Sequence, residues 1–379
     1  LARILVLGGG FGGIAAATRL RSRLDATDQV VLVDRRREFV MGLRKTWAVI
    51  GSHRLADGAR HLASLRPGGI DVREGTIEAV DPVGLRVSVD GEWLTADALV
   101  VALGADQAPE TVPGLAEHGI NVWDRALATR GHDALAAMRS GRLLIGIFGV
   151  PYPCPPGPFE LALLAKEELV RRGADVSVDV FGPMPIALPA VGSSESAKLE
   201  AIVEAAGIQF HRGRTAVEVT DREVLFSDGG TLRFDVLFGI PPHRCPAILV
   251  DAGLATPGGW VTVNPATLET SFPHVYAVGD CTVIKLTSGL SLPKAGVFAE
   301  AEGYVAAGRI ADEVAGRAGT AMFAGEGVCY AEVGGGRAAA VQGRFLAEPA
   351  VITIAEPSSE NLASKVAFES DHLTGWFGR

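Results

Sequence analysis

The opening segment, ARILVLGGGFGGIAAATRLRSRL, leaves the chain few choices of fold. Ile4 to Leu7 is a short apolar run of β character. Gly8-x-Gly10-x-x-Gly13 follows without a gap, and Ala15, Ala16, Ala17 and Leu20 then read as a helix with small residues turned to a sheet. Glycine at those three places permits a tight turn, close approach of a pyrophosphate, and helix–strand contact. The pyrophosphate would sit on free N–H groups at the helix N-terminus. The next apolar run, QVVLVD, ends in Asp34, about 20 residues on, where a carboxylate accepts both ribose hydroxyls and repels a 2′-phosphate. The chain therefore starts with a dinucleotide-binding βαβ unit that disfavours NADP.

At 379 residues the chain suits two or three domains, and its 48% hydrophobic content can fill large cores. Net charge is −9 with scattered Lys and Arg, which argues against a nucleic-acid groove. The four cysteines form no CxxC pair, and the eight histidines show no HxxxH or HExxH spacing, so no metal site is expected. No apolar run approaches the roughly 20 residues that span a bilayer. The start enters a strand with no signal-peptide layout and no initiator Met. The expected location is the cytoplasm or the periphery of a membrane, and an export signal trimmed from the chain is consistent with that start.

Two later segments extend the pattern. DALVVALGAD is a strand running into Gly104, and FPHVYAVGDC is a strand ending in Gly279-Asp280. With the first turn, they resemble the FAD-dependent pyridine nucleotide-disulfide oxidoreductase superfamily. The resemblance implies FAD, with Asp280 on the ribityl and pyrophosphate portion. It also implies an α/β fold of two Rossmann-like three-layer domains and a small C-terminal α+β interface domain. The order of motifs puts a discontinuous flavin domain at 1–105 and 240–316, a second Rossmann-like unit at 106–239, and the interface domain at 317–379.

In that second unit, Leu143 to Phe148 reads as a strand and Pro158 to Arg172 as a helix, but the turn between them is GVPYPCPPG. Proline has no N–H to offer a phosphate and fixes φ, so a nicotinamide cofactor is poorly served. This proline-flanked Cys154, with Cys329 in GEGVCYAEVGGG and Lys294 in LPKAGVFAEAEG, is similar to the sulfide-oxidising branch: sulfide:quinone reductases and the flavoprotein subunit of flavocytochrome c sulfide dehydrogenases. The resemblance implies that Cys154 and Cys329 form a redox-active disulfide or polysulfide bridge at the flavin. Hydrosulfide attacks one sulfur, the other leaves as thiolate, and two electrons reach a quinone or a separate cytochrome c through the flavin.

Cys154 precedes a helix N-terminus, where a thiol pKa of about 8.5 is expected to fall. Lys294 is expected to stabilise reduced anionic flavin. Glu160 is a candidate proton shuttle, although acids are favoured in first helical turns by the dipole alone. Cys245 and Cys281 read as buried apolar residues. The stretch RRREFVMGLRKTW has no cysteine to tether a flavin, so FAD is expected to be noncovalent. Val366, Phe368, Leu373, Trp376 and Phe377 could form an apolar edge at a lipid surface or pack on the protein itself, and a homodimer is compatible with the resemblance. An NADH:quinone reductase and a flavin-bound redox sensor are the alternative readings.

Overall fold

Arg3–Leu7, Gln29–Asp34 and Ala98–Val101 are apolar almost without alternation, and nearly every residue in them is buried. Strands covered on both faces belong in a parallel sheet with helices on either side. In the computed structural model, which describes residues 1–378, they form one. Its strand order is Val275–Ala277, Ala98–Val101, Arg3–Leu7, Gln29–Asp34, Asp71–Glu74, all parallel. The outer strand Val275–Ala277 comes from late in the chain, so the sheet is closed by two distant segments. Helix Phe11–Arg23 packs against the long helix Gly296–Val314. The two approach so closely that a Cβ on Gly303 would lie 2.4 Å from the Gly12 carbonyl oxygen.

A second parallel sheet runs Ile120–Asn121, Val236–Ile240, Ser140–Ile147, Asp175–Phe181, Gln209–His211. Helices Gly157–Arg171 and Ser193–Ala205 connect its strands. After strand Gln209–His211 comes a three-stranded antiparallel meander, Ala216–Val219, Glu223–Phe226 and Thr231–Arg233. The C-terminal part is an antiparallel sheet of Glu326–Gly334, Arg337–Arg344 and Val351–Ser358, followed by helix Ser359–Phe377. The Ser358 hydroxyl caps that helix by accepting from Asn361 N at 3.0 Å.

The last helix turns its aromatic side chains inward. Phe368 stacks on Phe11, Trp376 meets both Phe11 and Phe39 edge-on, and Phe377 stacks on Phe39. Leu373 is buried as well, whereas Val366 is exposed. Four of the five residues weighed for a lipid surface thus pack on the protein itself, three of them on the rings of Phe11 and Phe39. Among the described residues no helix is long and apolar enough to cross a membrane, and no group of three metal-ligating side chains occurs.

The tight helix crossing makes a direct prediction. Gly303→Ala should cost about 1–3 kcal/mol through overpacking, read as a lower urea midpoint with an unchanged slope. A wild-type midpoint would contradict so close an approach.

Candidate active site

The glycine turn after Leu7 is shaped by exclusion. Gly8 has φ +108°, and a Cβ there would meet the Ala102 carbonyl oxygen at 2.3 Å; one on Gly13 would meet Gly8 O at 1.8 Å. Gly10, at the helix N-cap, faces open space and brings no side chain to the first-turn N–H groups, as an anion cradle requires. Asp34 ends the neighbouring strand. Its Oδ2 accepts from Gly9 N (2.6 Å) and an Arg36 guanidinium N–H (2.9 Å), and its Oδ1 from Arg36 N (2.7 Å) and Nε (3.1 Å). Burial opposes its charge, but Arg36 and the backbone N–H groups hold the carboxyl below the usual range. Those four donors fill the carboxylate, so a ribose could reach Asp34 only after Arg36, which is largely exposed, swings aside. The sequence showed the acid but not its partner two residues on.

Gly104 and Gly279 both adopt positive φ, +70° and +76°. Gly279 N donates to Glu302 at 2.5 Å. Glu302 is 3% exposed, and burial, only partly offset by that N–H, pushes its carboxyl up to about 8. Burial also raises Asp280, against the pull of Lys294 and Lys45. The Lys294 ammonium is already committed. It donates to Asp280 O (2.6 Å) and Thr282 O (3.0 Å) and lies 3.6 Å from the centre of the Trp260 ring.

The proline loop is nailed down through its backbone. Cys154 N donates to Lys294 O at 2.8 Å, Trp123 Nε1 to Pro153 O at 2.9 Å, and Tyr152 Oη to Pro155 O at 3.0 Å. Cys154 takes φ +59°, a left-handed conformation uncommon outside glycine. Gly157 is required behind it, since a Cβ there would sit 2.9 Å from the Trp123 ring and 3.3 Å from Cys154 Sγ. From Pro153 to Gly157 the N–H groups are either absent or used, by Lys294 O and Cys154 O, which leaves that part of the loop nothing for a phosphate.

Cys154 is open to solvent on one side and Cys329 is half-buried; all four cysteines are free thiols. The expected bridge is therefore absent here, as it is in the reduced form of any such pair. The two sulfurs are neighbours in charge: burial and Cys154 together push Cys329 up to about 12. The expected fall in the Cys154 pKa does not occur either. Dense protein around the thiol, reinforced by Glu160, pushes it up to about 11, against Lys365 and Lys45. Desolvation outweighs the helix terminus.

Glu160 is not a free carboxyl. It is 3% exposed and accepts from Lys365 Nζ at 2.7 Å and Glu332 N at 3.1 Å; Lys365 also reaches Glu332 Oε1 at 3.0 Å, and Trp47 Nε1 donates to the same carboxylate. Burial raises Glu160 and the ammonium offsets part of it. A second buried pair, Arg44 with Glu369 (Nε–Oε1 2.6 Å), ties the same terminal helix to helix Leu43–Ile50. Lys365, Glu332 and Lys45 were missed from sequence, because nothing local connects residues 45, 160, 332 and 365. Beside the loop, a cavity of about 330 Å³ is walled almost wholly by apolar groups, among them Tyr152, Pro155, Pro156, Phe298 and Phe345, with Cys329 in its lining. Cys245 and Cys281 are buried, as expected.

Two measurements check this description. Glu302 binds its proton more tightly folded than unfolded, so its contribution is intact below pH 4.5 and is lost as pH rises through about 8. Glu302→Gln should gain stability relative to wild type between about pH 5 and about pH 9; an unchanged difference in urea midpoints would contradict the buried acid. Lys365→Met leaves two buried carboxylates without a cation and should cost about 3–5 kcal/mol of unfolding free energy.

Comparison with known proteins follows the same lines. A mitochondrial sulfide:quinone oxidoreductase of Mus musculus is 24% identical over 297 residues, 74% of this chain; the aligned part spans 65% of the mouse protein's length. The corresponding protein of Schizosaccharomyces pombe is 23% identical over 380 residues, covering 92% of this chain and 82% of its own. The crystal structure of sulfide:quinone oxidoreductase from Aquifex aeolicus superposes with a TM-score of 0.90 at 21% identity, covering 100% of this chain and 92% of that one. That likeness establishes the fold. Residues 2–146 and 159–303 match a single family along both parallel sheets, parting at the caged-cysteine loop between them, and the chain belongs to that family, the pyridine nucleotide-disulphide oxidoreductases.

Proposed function

We propose that this protein is an FAD-dependent oxidoreductase that oxidises sulfide through Cys154 and Cys329 and passes the electrons to a quinone. The observation that carries the reading is the caged loop: a rigidly held thiol, with a second thiol close by, stands where a nicotinamide phosphate would bind. The relatives named for sulfide and quinone agree with it.

The residues fit a noncovalent FAD. Gly8, Gly10 and Gly13 leave room and N–H groups for the pyrophosphate, Asp34 would take the ribose once released by Arg36, and Gly104, Gly279 and Asp280 would hold the ribityl portion. Bound flavin supplies the two-electron acceptor for the sulfur and the donor for quinone. The protein does the sulfur chemistry. In the oxidised pair, hydrosulfide attacks one sulfur; a new sulfur–sulfur bond forms, the bond between the cysteines breaks, and the second cysteine leaves as thiolate. Over the cycle hydrosulfide loses two electrons and one proton and becomes sulfane sulfur.

The apolar cavity at Cys329 suits this substrate, because neutral hydrogen sulfide and sulfur chains need no hydrogen-bond partners. Lys294 anchors the loop through its carbonyl and keeps its cation at the Asp280 turn. Glu160, beside Cys154, would exchange the proton after loosening its hydrogen bond to Lys365.

Anaerobic stopped-flow mixing tests the proposal. Sulfide should bleach the flavin band rapidly and NADH should not; Cys154→Ser and Cys329→Ser should each slow sulfide bleaching by about a hundredfold or more, as loss of a nucleophile does. Bleaching by NADH alone would replace this reading with an NADH:quinone reductase.

A further inference from the structure

Cys154 meets an unfavourable environment for a thiolate, yet the proposed chemistry must release one. Two cations favour the charged form of its sulfur, Lys365 and Lys45. Lys365 is held by Glu160 and Glu332. Lys45 differs. It stands on helix Leu43–Ile50 and is half-buried, and among the described residues its ammonium donates to a single acceptor, the Trp123 carbonyl, at 2.8 Å.

Trp123 connects that cation to the cage. Its indole N–H holds Pro153 O, and its ring flanks Gly157 on the side where Cys154 Sγ also sits. Lys45 is therefore seated on the residue that fixes the cysteine loop. Its charge reaches both Cys154 and Asp280, the two sides between which electrons would pass.

We infer that Lys45 is a positioning residue that holds Cys154 as thiolate when its sulfur bond breaks, with Trp123 as the seat that aims the ammonium. The inference rests on the reading of Cys154 as a reacting sulfur, and it deepens that reading by naming the group that stabilises the leaving charge. The groups facing Cys154 are Glu160 on the helix that follows the loop, Lys365 on the terminal helix, Cys329 on strand Glu326–Gly334, Tyr152 in the loop, and Lys45. Those facing Lys45 are Asp124, Asp280, Arg36 and Cys154. Glu160 raises the energy of the thiolate, Lys365 is shared between two carboxylates, and Lys45 is the cation of this set that no carboxylate holds among the described residues. Burial makes the ammonium easier to deprotonate, and nearby Cys154, Asp124 and Asp280 oppose that, so a thiolate at Cys154 and a charged Lys45 favour each other.

The test needs neither sulfide nor turnover. The reduced protein is alkylated with iodoacetamide over a range of pH, and the rate at Cys154 is followed by peptide mass mapping. Lys45→Met should move the midpoint of the pH profile upward and slow alkylation about tenfold at a fixed pH below it, the effect of losing one nearby opposite charge. Lys45→Arg should restore the wild-type profile. Lys45→Gln keeps an N–H for the Trp123 carbonyl without the charge, and it gives the same upward shift if the Met variant does not fold. A wild-type midpoint in the neutral variants would overturn the inference. Failure of sulfide to bleach the wild-type flavin would instead overturn the proposed function and leave this pH profile unaffected.

Discussion

One backbone hydrogen bond joins the two halves of the site. The N–H of Cys154, on the second parallel sheet's main turn, donates to the carbonyl of Lys294, which leads into the long helix of the first. Proline on either side means that this is the one N–H between Pro153 and Pro156, and it is used to lock the turn against the other domain. Everything nearby follows from that lock. Cys154 is forced to positive φ, Gly157 must be glycine to admit both Trp123 and the sulfur, and Lys294 presents its side chain to the Asp280 turn because its main chain is held. A phosphate turn works by leaving N–H groups free; around Cys154 none is left, since Pro153, Pro155 and Pro156 have none and those of Cys154 and Gly157 are used.

Around that lock lie charges that water does not reach. Glu160, Glu332 and Lys365 come from three separate segments and meet with Glu160 and Lys365 buried and Glu332 largely so, and Arg44 and Glu369 form a second pair nearby. Buried pairs of this kind add little net stability over apolar packing, but each is costly to break. Their effect is to fix where the terminal helix sits relative to the caged cysteine, and hence the electric field at the sulfur. The same residues that close the fold therefore tune the thiol.

The fold was largely legible because its signals are local. A strand, three glycines, a small-residue helix and an acid at the next strand end can be read within the first 34 residues, and each of these positions has a single steric reason. Cys154 was legible for the same reason, since its prolines are adjacent. What sequence could not reveal was side-chain pairing: Arg36 turning back onto Asp34 two residues away, and, at a distance, Lys365 taking Glu160 and Lys45 seated on Trp123. The expectation of a lowered Cys154 pKa failed on the same ground. It weighed the helix terminus next to the cysteine in sequence and not the burial contributed by remote segments.

The aromatic contacts of the last helix bear on how the molecule is made. Phe11 lies inside the first glycine turn, yet its ring is covered by Phe368 and Trp376. A chain emerging from the ribosome would have its cofactor turn available early, since domains fold as they are synthesised. The aromatic residues that cover that turn, Phe368 and Trp376, come far later in the chain. The turn is thus synthesised long before the helix that closes over Phe11, and the two meet only when that later segment packs back.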